Sequence, residues 1–130
     1  MPSTPILRPK RQSKDVLLIE TPSSTRDRHS TTLARHEYKV TLVDSIATAR
    51  ELWSPEKYGL IVMSLCDFGT AAADFCSEVK DADSAQVLAL IFHPDQELPA
   101  TDCPTLIFTT EPDEYFLARV ETLTAATRAA

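Results

Sequence analysis

The 130-residue sequence predicts a parallel α/β domain, and three observations carry that prediction. Apolar, β-branched runs alternate with segments able to form helices, the pattern of successive strand–helix units rather than hairpins. The first strand, Asp15-Val16-Leu17-Leu18-Ile19-Glu20, is a continuous apolar run, as in a strand covered on both faces. Only two glycines occur, so tight hairpin turns are scarce.

That first strand stops at Thr21-Pro22, where Ser23 or Ser24 can cap a helix running to about His36. Its inward face would be Thr25, His29, Thr32, Leu33 and His36, a thin apolar stripe. The second strand is Lys39 to Val43. Asp44 or Ser45 caps a second helix through Trp53, with Ala49, Leu52 and Trp53 on one face, and Ser54-Pro55 ends it. The third strand, Leu60 to Ser64, leads into an irregular stretch from Leu65 to Gly69. A third helix follows near Ala71 to Lys80, with Ala72, Phe75, Cys76 and Val79 as its buried stripe. A fourth strand, Val87 to Phe92, ends at His93-Pro94. The fifth, Thr105 to Thr109, passes through Glu111-Pro112-Asp113 into a final helix ending near Ala125. There Phe116, Val120 and Leu123 share a face, with Leu117 beside them and Glu114 and Glu121 outward.

Composition sets the limits. A chain of this length makes roughly one domain, and 43% hydrophobic with 25% charged residues is ordinary for a folded soluble protein. No apolar run approaches the roughly 18 residues of a membrane span, and no targeting segment is evident, so a cytoplasmic location is expected. Arg8, Lys10, Arg11 and Lys14 give +4 to the first fourteen residues, leaving nine basic against nineteen acidic side chains in the remainder. Residues 1–14 are expected to be a disordered basic tail and residues 15–127 the domain. An acidic body repels nucleic acid. Cys66, Cys76 and Cys103 are odd in number and lack CxxC spacing, which suits buried thiols and neither a disulfide framework nor a closed zinc site.

In order along the chain, Val16-Leu17-Leu18-Ile19-Glu20, Tyr38-Lys39-Val40, Ala49, Tyr58, Asp74-Phe75-Cys76 and Phe116-Leu117-Ala118-Arg119-Val120 resemble the markers of a response-regulator receiver (CheY-like) domain over about 110 residues. The resemblance implies a flavodoxin-like (βα)5 three-layer sandwich with parallel sheet order 2-1-3-4-5. It also implies where a phosphorylation pocket would lie. In that family an aspartate takes the phosphoryl group, an acidic pair holds magnesium, a hydroxyl-bearing residue switches, and a lysine pairs with the phosphate. Carried over residue by residue, the aspartate position is Ser64 and the acidic pair is Glu20 with Thr21. The switch position is Ile91, and the lysine position is Thr109, followed by Thr110. Only Glu20 keeps its chemistry. One carboxylate retains magnesium poorly, so a degenerate pseudo-receiver is expected, with no catalysis, metal or cofactor.

Between the fourth and fifth strands, residues 93–104 include Pro94, Pro99 and Pro104, so the fourth helix is expected to be short or missing. The resemblance then implies a fixed interaction face, including Phe92, Leu98 and Tyr115. A signalling protein of unidentified kind is the expected partner, a homodimer is allowed, and nucleic acid and membrane are not expected. Two alternatives stay open. Thr21, Ser23, Ser24 and Ser64 would gather where open α/β sheets bind ligands, giving a hydroxyl-lined site for a small anion. Asp67 or Ser64 could also act as an atypical phosphoryl acceptor, although such an aspartate more often solvates a turn. Ser64 lacks a nucleophile elbow, and the first strand is followed by no glycine-rich loop. His29 and His36 share a helical face but lie two turns, about 10 Å, apart, too far to grip one ion unaided.

Overall fold

In the computed structural model, residues 14–92, 105–108 and 113–129 are described. Five strands run in parallel: β1 (Asp15–Ile19), β2 (Lys39–Val43), β3 (Leu60–Ser64), β4 (Leu88–Phe92) and β5 (Thr105–Phe108). Their order is β2-β1-β3-β4-β5, as expected. The helices are α1 (Ser24–Arg35), α2 (Ile46–Leu52), α3 (Leu65–Phe68), α4 (Thr70–Ala82) and α5 (Asp113–Ala129). The tail before Lys14, the 93–104 linker with Leu98 and the expected short or missing helix, and Thr109 and Thr110 lie outside the described residues.

Strand periodicity divides the core into two layers. On β1, Val16 and Leu18 face a cluster with Leu33 of α1, Val62 of β3, Ile91 of β4, and Phe116 and Val120 of α5. Leu17 and Ile19 face the opposite cluster, with Ile46 and Ala49 of α2 and Ala72, Phe75, Cys76 and Val79 of α4. Each residue of β3 is buried, because neighbours flank it on both edges and helices cover both faces. At about 1.5–3 kcal/mol per large apolar side chain, these layers are the main favourable term holding the sheet.

Turn chemistry fixes how each helix enters and leaves. Ser23 caps α1, its hydroxyl accepting the Arg26 N–H at 3.0 Å. At the other end the Tyr38 N–H reaches the Leu33 carbonyl (3.1 Å) and the Glu37 N–H the Ala34 carbonyl (3.1 Å), a Schellman closure. Its left-handed position is Glu37, φ 70°, where glycine would be unstrained. Ser45 caps α2 through the Thr48 N–H. Lys57 N–H donates to the Ser54 carbonyl across a turn with Pro55 second and Glu56 third, at φ 66°, the arrangement of a type II turn.

Four expectations need correction. Residues 65–68 form a short helix where an irregular stretch was expected, because Ser64 supplies its cap and Gly69, at φ 55°, its stop. On α1, buried residues are His29 and Leu33, while His36 is exposed because the helix ends before it and the chain turns away. The last helix runs past Ala125 to Ala129. Phe92 is buried in the core beneath α4 and is no part of an exposed interaction face.

Candidate functional site

The carboxyl ends of β1 and β3 lie side by side, since Ile19 pairs with Met63. Glu20 and Ser64 are therefore neighbours at this edge. Glu20 continues β1 by donating its N–H to the Val43 carbonyl (3.1 Å), and its side chain is only 3% exposed as a residue. A buried carboxylate requires a partner, and it finds one on the second turn of α1. His29 Nδ1 lies 2.8 Å from Glu20 Oε2. With Glu20 ionised, Nδ1 carries the proton and donates. The imidazole, 4% exposed, also stacks on Phe116 of α5, centroids 4.2 Å apart and planes 24° from parallel.

Ser64 is buried, with its hydroxyl turned to accept the Asp67 N–H at 3.2 Å. This cap starts α3 and aims the exposed Asp67 side chain back across the edge. There Asp67 Oδ2 accepts the Thr21 N–H at 2.9 Å. One carboxylate thus ties the loop after β1 to the loop after β3. Ile91 sits opposite Ser64 in the sheet, wholly apolar and buried.

The expected positions Glu20, Thr21, Ser64 and Ile91 come together here, and Thr109 lies outside the described residues. Their donor set does not fit magnesium, which demands several oxygens in octahedral array. Glu20 is bonded to imidazole, Thr21 offers no carboxylate, and Asp67 is bonded to a main-chain N–H. Among the described residues, no three histidine, cysteine or acidic side chains converge as metal ligands. For a small anion, the Ser23 and Ser64 hydroxyls accept main-chain N–H groups and keep their own protons to donate, but the Asp67 carboxylate takes the Thr21 N–H and sets negative charge at the same edge.

His29 is the site residue that the sequence concealed. It was placed on the correct face of α1, but nothing in a helical pattern says that a histidine nine residues beyond a strand end will close on the acid there. His36 does not join it, because its Nδ1 bonds the Thr32 carbonyl at 2.9 Å. Cys76 is buried and forms no disulfide, while the Cys66 side chain and Cys103 lie outside the described residues. Tyr115, 58% exposed, projects from the outer side of α5. Ala118, Arg119 and Thr122 continue that exposed face, and Ala118, Arg119, Thr122 and Leu123 line a cavity of about 320 Å³. No described helix is long and apolar enough to cross a membrane.

No protein-family model matches the sequence, and no curated protein does. Solved structures do. The signal receiver domain of a protein described as a LuxO repressor from Vibrio parahaemolyticus superimposes with TM-score 0.77 at 15% identity, covering 95% of both chains. An orphan response regulator of H. pylori gives TM-score 0.69 at 19% identity, covering 85% of this chain and 95% of that one. A member of a streptococcal family of redox sensors, described as evolved from two-component response regulators, gives 0.71 at 20% identity. That match covers 88% of this chain and 52% of the other. The likeness shows a response-regulator receiver fold.

Proposed function

We propose that this chain is a receiver-like module of signal transduction that acts by binding another protein and takes no phosphoryl group on an aspartate. The observation that carries this reading is the state of the edge between β1 and β3. Where a receiver would need a free carboxylate nucleophile, Ser64 spends its hydroxyl capping α3. Where it would need a pair of acids for a cation, Glu20 is bonded to His29 and its neighbour is Thr21. A carboxylate attacking a phosphoryl anion needs that cation to offset the repulsion. What remains is a surface, and on its α5 face Tyr115 is the most exposed large hydrophobic side chain among the described residues. Leu98 is a further proposed contributor.

A two-dimensional amide spectrum recorded before and after adding magnesium with beryllofluoride, a mimic of aspartyl phosphate, tests the chemical half. An unchanged spectrum is expected. Shifts gathered at Glu20, Thr21, Ser64 and Asp67 would restore phosphorylation, with exposed Asp67 as the acceptor to mutate first.

A further inference from the structure

Glu20 and His29 are the buried carboxylate and the buried imidazole of the described residues, and nothing in the proposed binding role requires them. We propose that this pair is a proton-operated latch, closing the end of β1 onto α1 and, through the stacked Phe116, setting the position of the α5 face that carries Tyr115. It rests on the function proposed above only for its output, the α5 surface.

The argument is one of charge balance in a space closed to water. With imidazolium against carboxylate, the pair is neutral as a unit and its short hydrogen bond is charge-assisted. One proton more neutralises Glu20 and leaves a buried imidazolium facing no anion. One proton fewer leaves a buried carboxylate facing neutral imidazole. Either departure buries a net charge, which is strongly disfavoured away from water. Among the described charged groups on the surrounding elements, Arg26 is the one that is not exposed. On α1, Arg26 lies one turn before His29 with its Nε buried and unpartnered, while Asp27 and Arg28 are exposed. The end of β2 contributes the Val43 carbonyl, already used by the Glu20 N–H, and exposed Asp44. Beyond β3, Asp67 is exposed and bonded to Thr21. From β4 comes apolar Ile91, and from α5 come Phe116 and Val120, with Glu114, Arg119 and Glu121 turned outward. His29 is in ring contact with Phe116, so movement of the imidazole is passed to α5. Tyr115 is the next residue along.

The test is a pH titration of the isotope-labelled full chain between about pH 4 and 9, spanning the ordinary carboxylate and imidazole ranges. The His29 ring signals and the Tyr115, Phe116 and Val120 amides should change together with common midpoints. The double substitution Glu20→Gln with His29→Gln keeps a neutral hydrogen bond and should abolish the α5 titration. Ring signals constant across the range would overturn the latch, as would a ring that titrates while the α5 amides stand still. Should the double variant fail to fold, the native titration decides alone. No magnesium or beryllofluoride is present, so this result and that for phosphorylation fail independently.

Discussion

Replacing Phe116 by alanine probes the point where the α5 layer meets the candidate site. Phe116 is 1% exposed, packed with Leu18, Leu33, Val62 and Val120, and stacked on His29 at 4.2 Å. Emptying a fully buried phenylalanine site costs about 3–5 kcal/mol, transfer and cavity together. The stacked pair contributes about 0.5–1.5 kcal/mol of that. Phe116→Leu keeps most of the apolar volume and loses the ring, so its cost should be about 1–2 kcal/mol. Urea unfolding measures both. At a slope near 2 kcal/mol/M, Phe116→Ala should lower the midpoint by about 2 M and Phe116→Leu by less than about 1 M. Total stability of a domain this size is about 5–15 kcal/mol, so the alanine variant should still fold but marginally. A loss below about 1.5 kcal/mol for Phe116→Ala, or equal losses for the two variants, would refute both the burial and the stacking.

Four further outcomes are expected. Ser64→Ala removes the α3 cap and should cost about 1 kcal/mol, read from the thermal midpoint. Gln86→Ala leaves the Trp53 Nε1–H and the Tyr58 carbonyl without the partner each has at 3.0 and 3.1 Å; a loss of about 2 kcal/mol is expected, with red-shifted tryptophan fluorescence in the folded state. Glu37→Gly relieves the left-handed residue of the α1 closure and should stabilise by about 0.5–1 kcal/mol in urea unfolding. Glu78 is held below the usual carboxylate range, chiefly by its hydrogen bonds from Arg50 and then by that residue's charge. Its contribution is therefore present above the unfolded Glu value of about 4.3 and lost as pH falls through the lower folded value. Both side chains are about half exposed, so the gap in thermal midpoint between wild type and Glu78→Gln should be small at neutral pH and vanish in acid or high salt.

The strands were legible because burial on two faces writes itself as an unbroken apolar run. Leu60-Ile61-Val62-Met63-Ser64 matches β3 residue for residue, whereas the edge strand β2, Lys39–Val43, is exposed or half-buried up to Val43 and was legible from its β-branched residues and the helix cap that follows. The α4 stripe was equally plain, since Ala72, Phe75, Cys76 and Val79 repeat with the helical period. Less could be read where polar groups decide. Leu65 to Phe68 look irregular until the Ser64 hydroxyl is known to cap them. Phe92 reads as a surface aromatic only because it lies next to a proline-rich linker, whereas strand alternation places it with Leu88 and Leu90 in the core. At the candidate site, the residue types at positions 20, 21, 64 and 91 were visible, but their hydrogen bonds were not. The Glu20–His29 and Thr21–Asp67 contacts span 9 and 46 residues, and no local pattern encodes such distances.

The Asp67 bond to the Thr21 N–H offers an experimental vantage point on the whole edge. Because 46 residues separate its ends, it can form only after β1 and β3 have found each other in register. The exchange of that one amide proton with solvent then reports whether the two loops are shut, at single-residue resolution and in an unmodified molecule. Partner binding, crowding or a change of ion should slow or hasten this exchange only insofar as it reaches the edge itself, so Thr21 separates events at the sheet's carboxyl end from events on the outer helices.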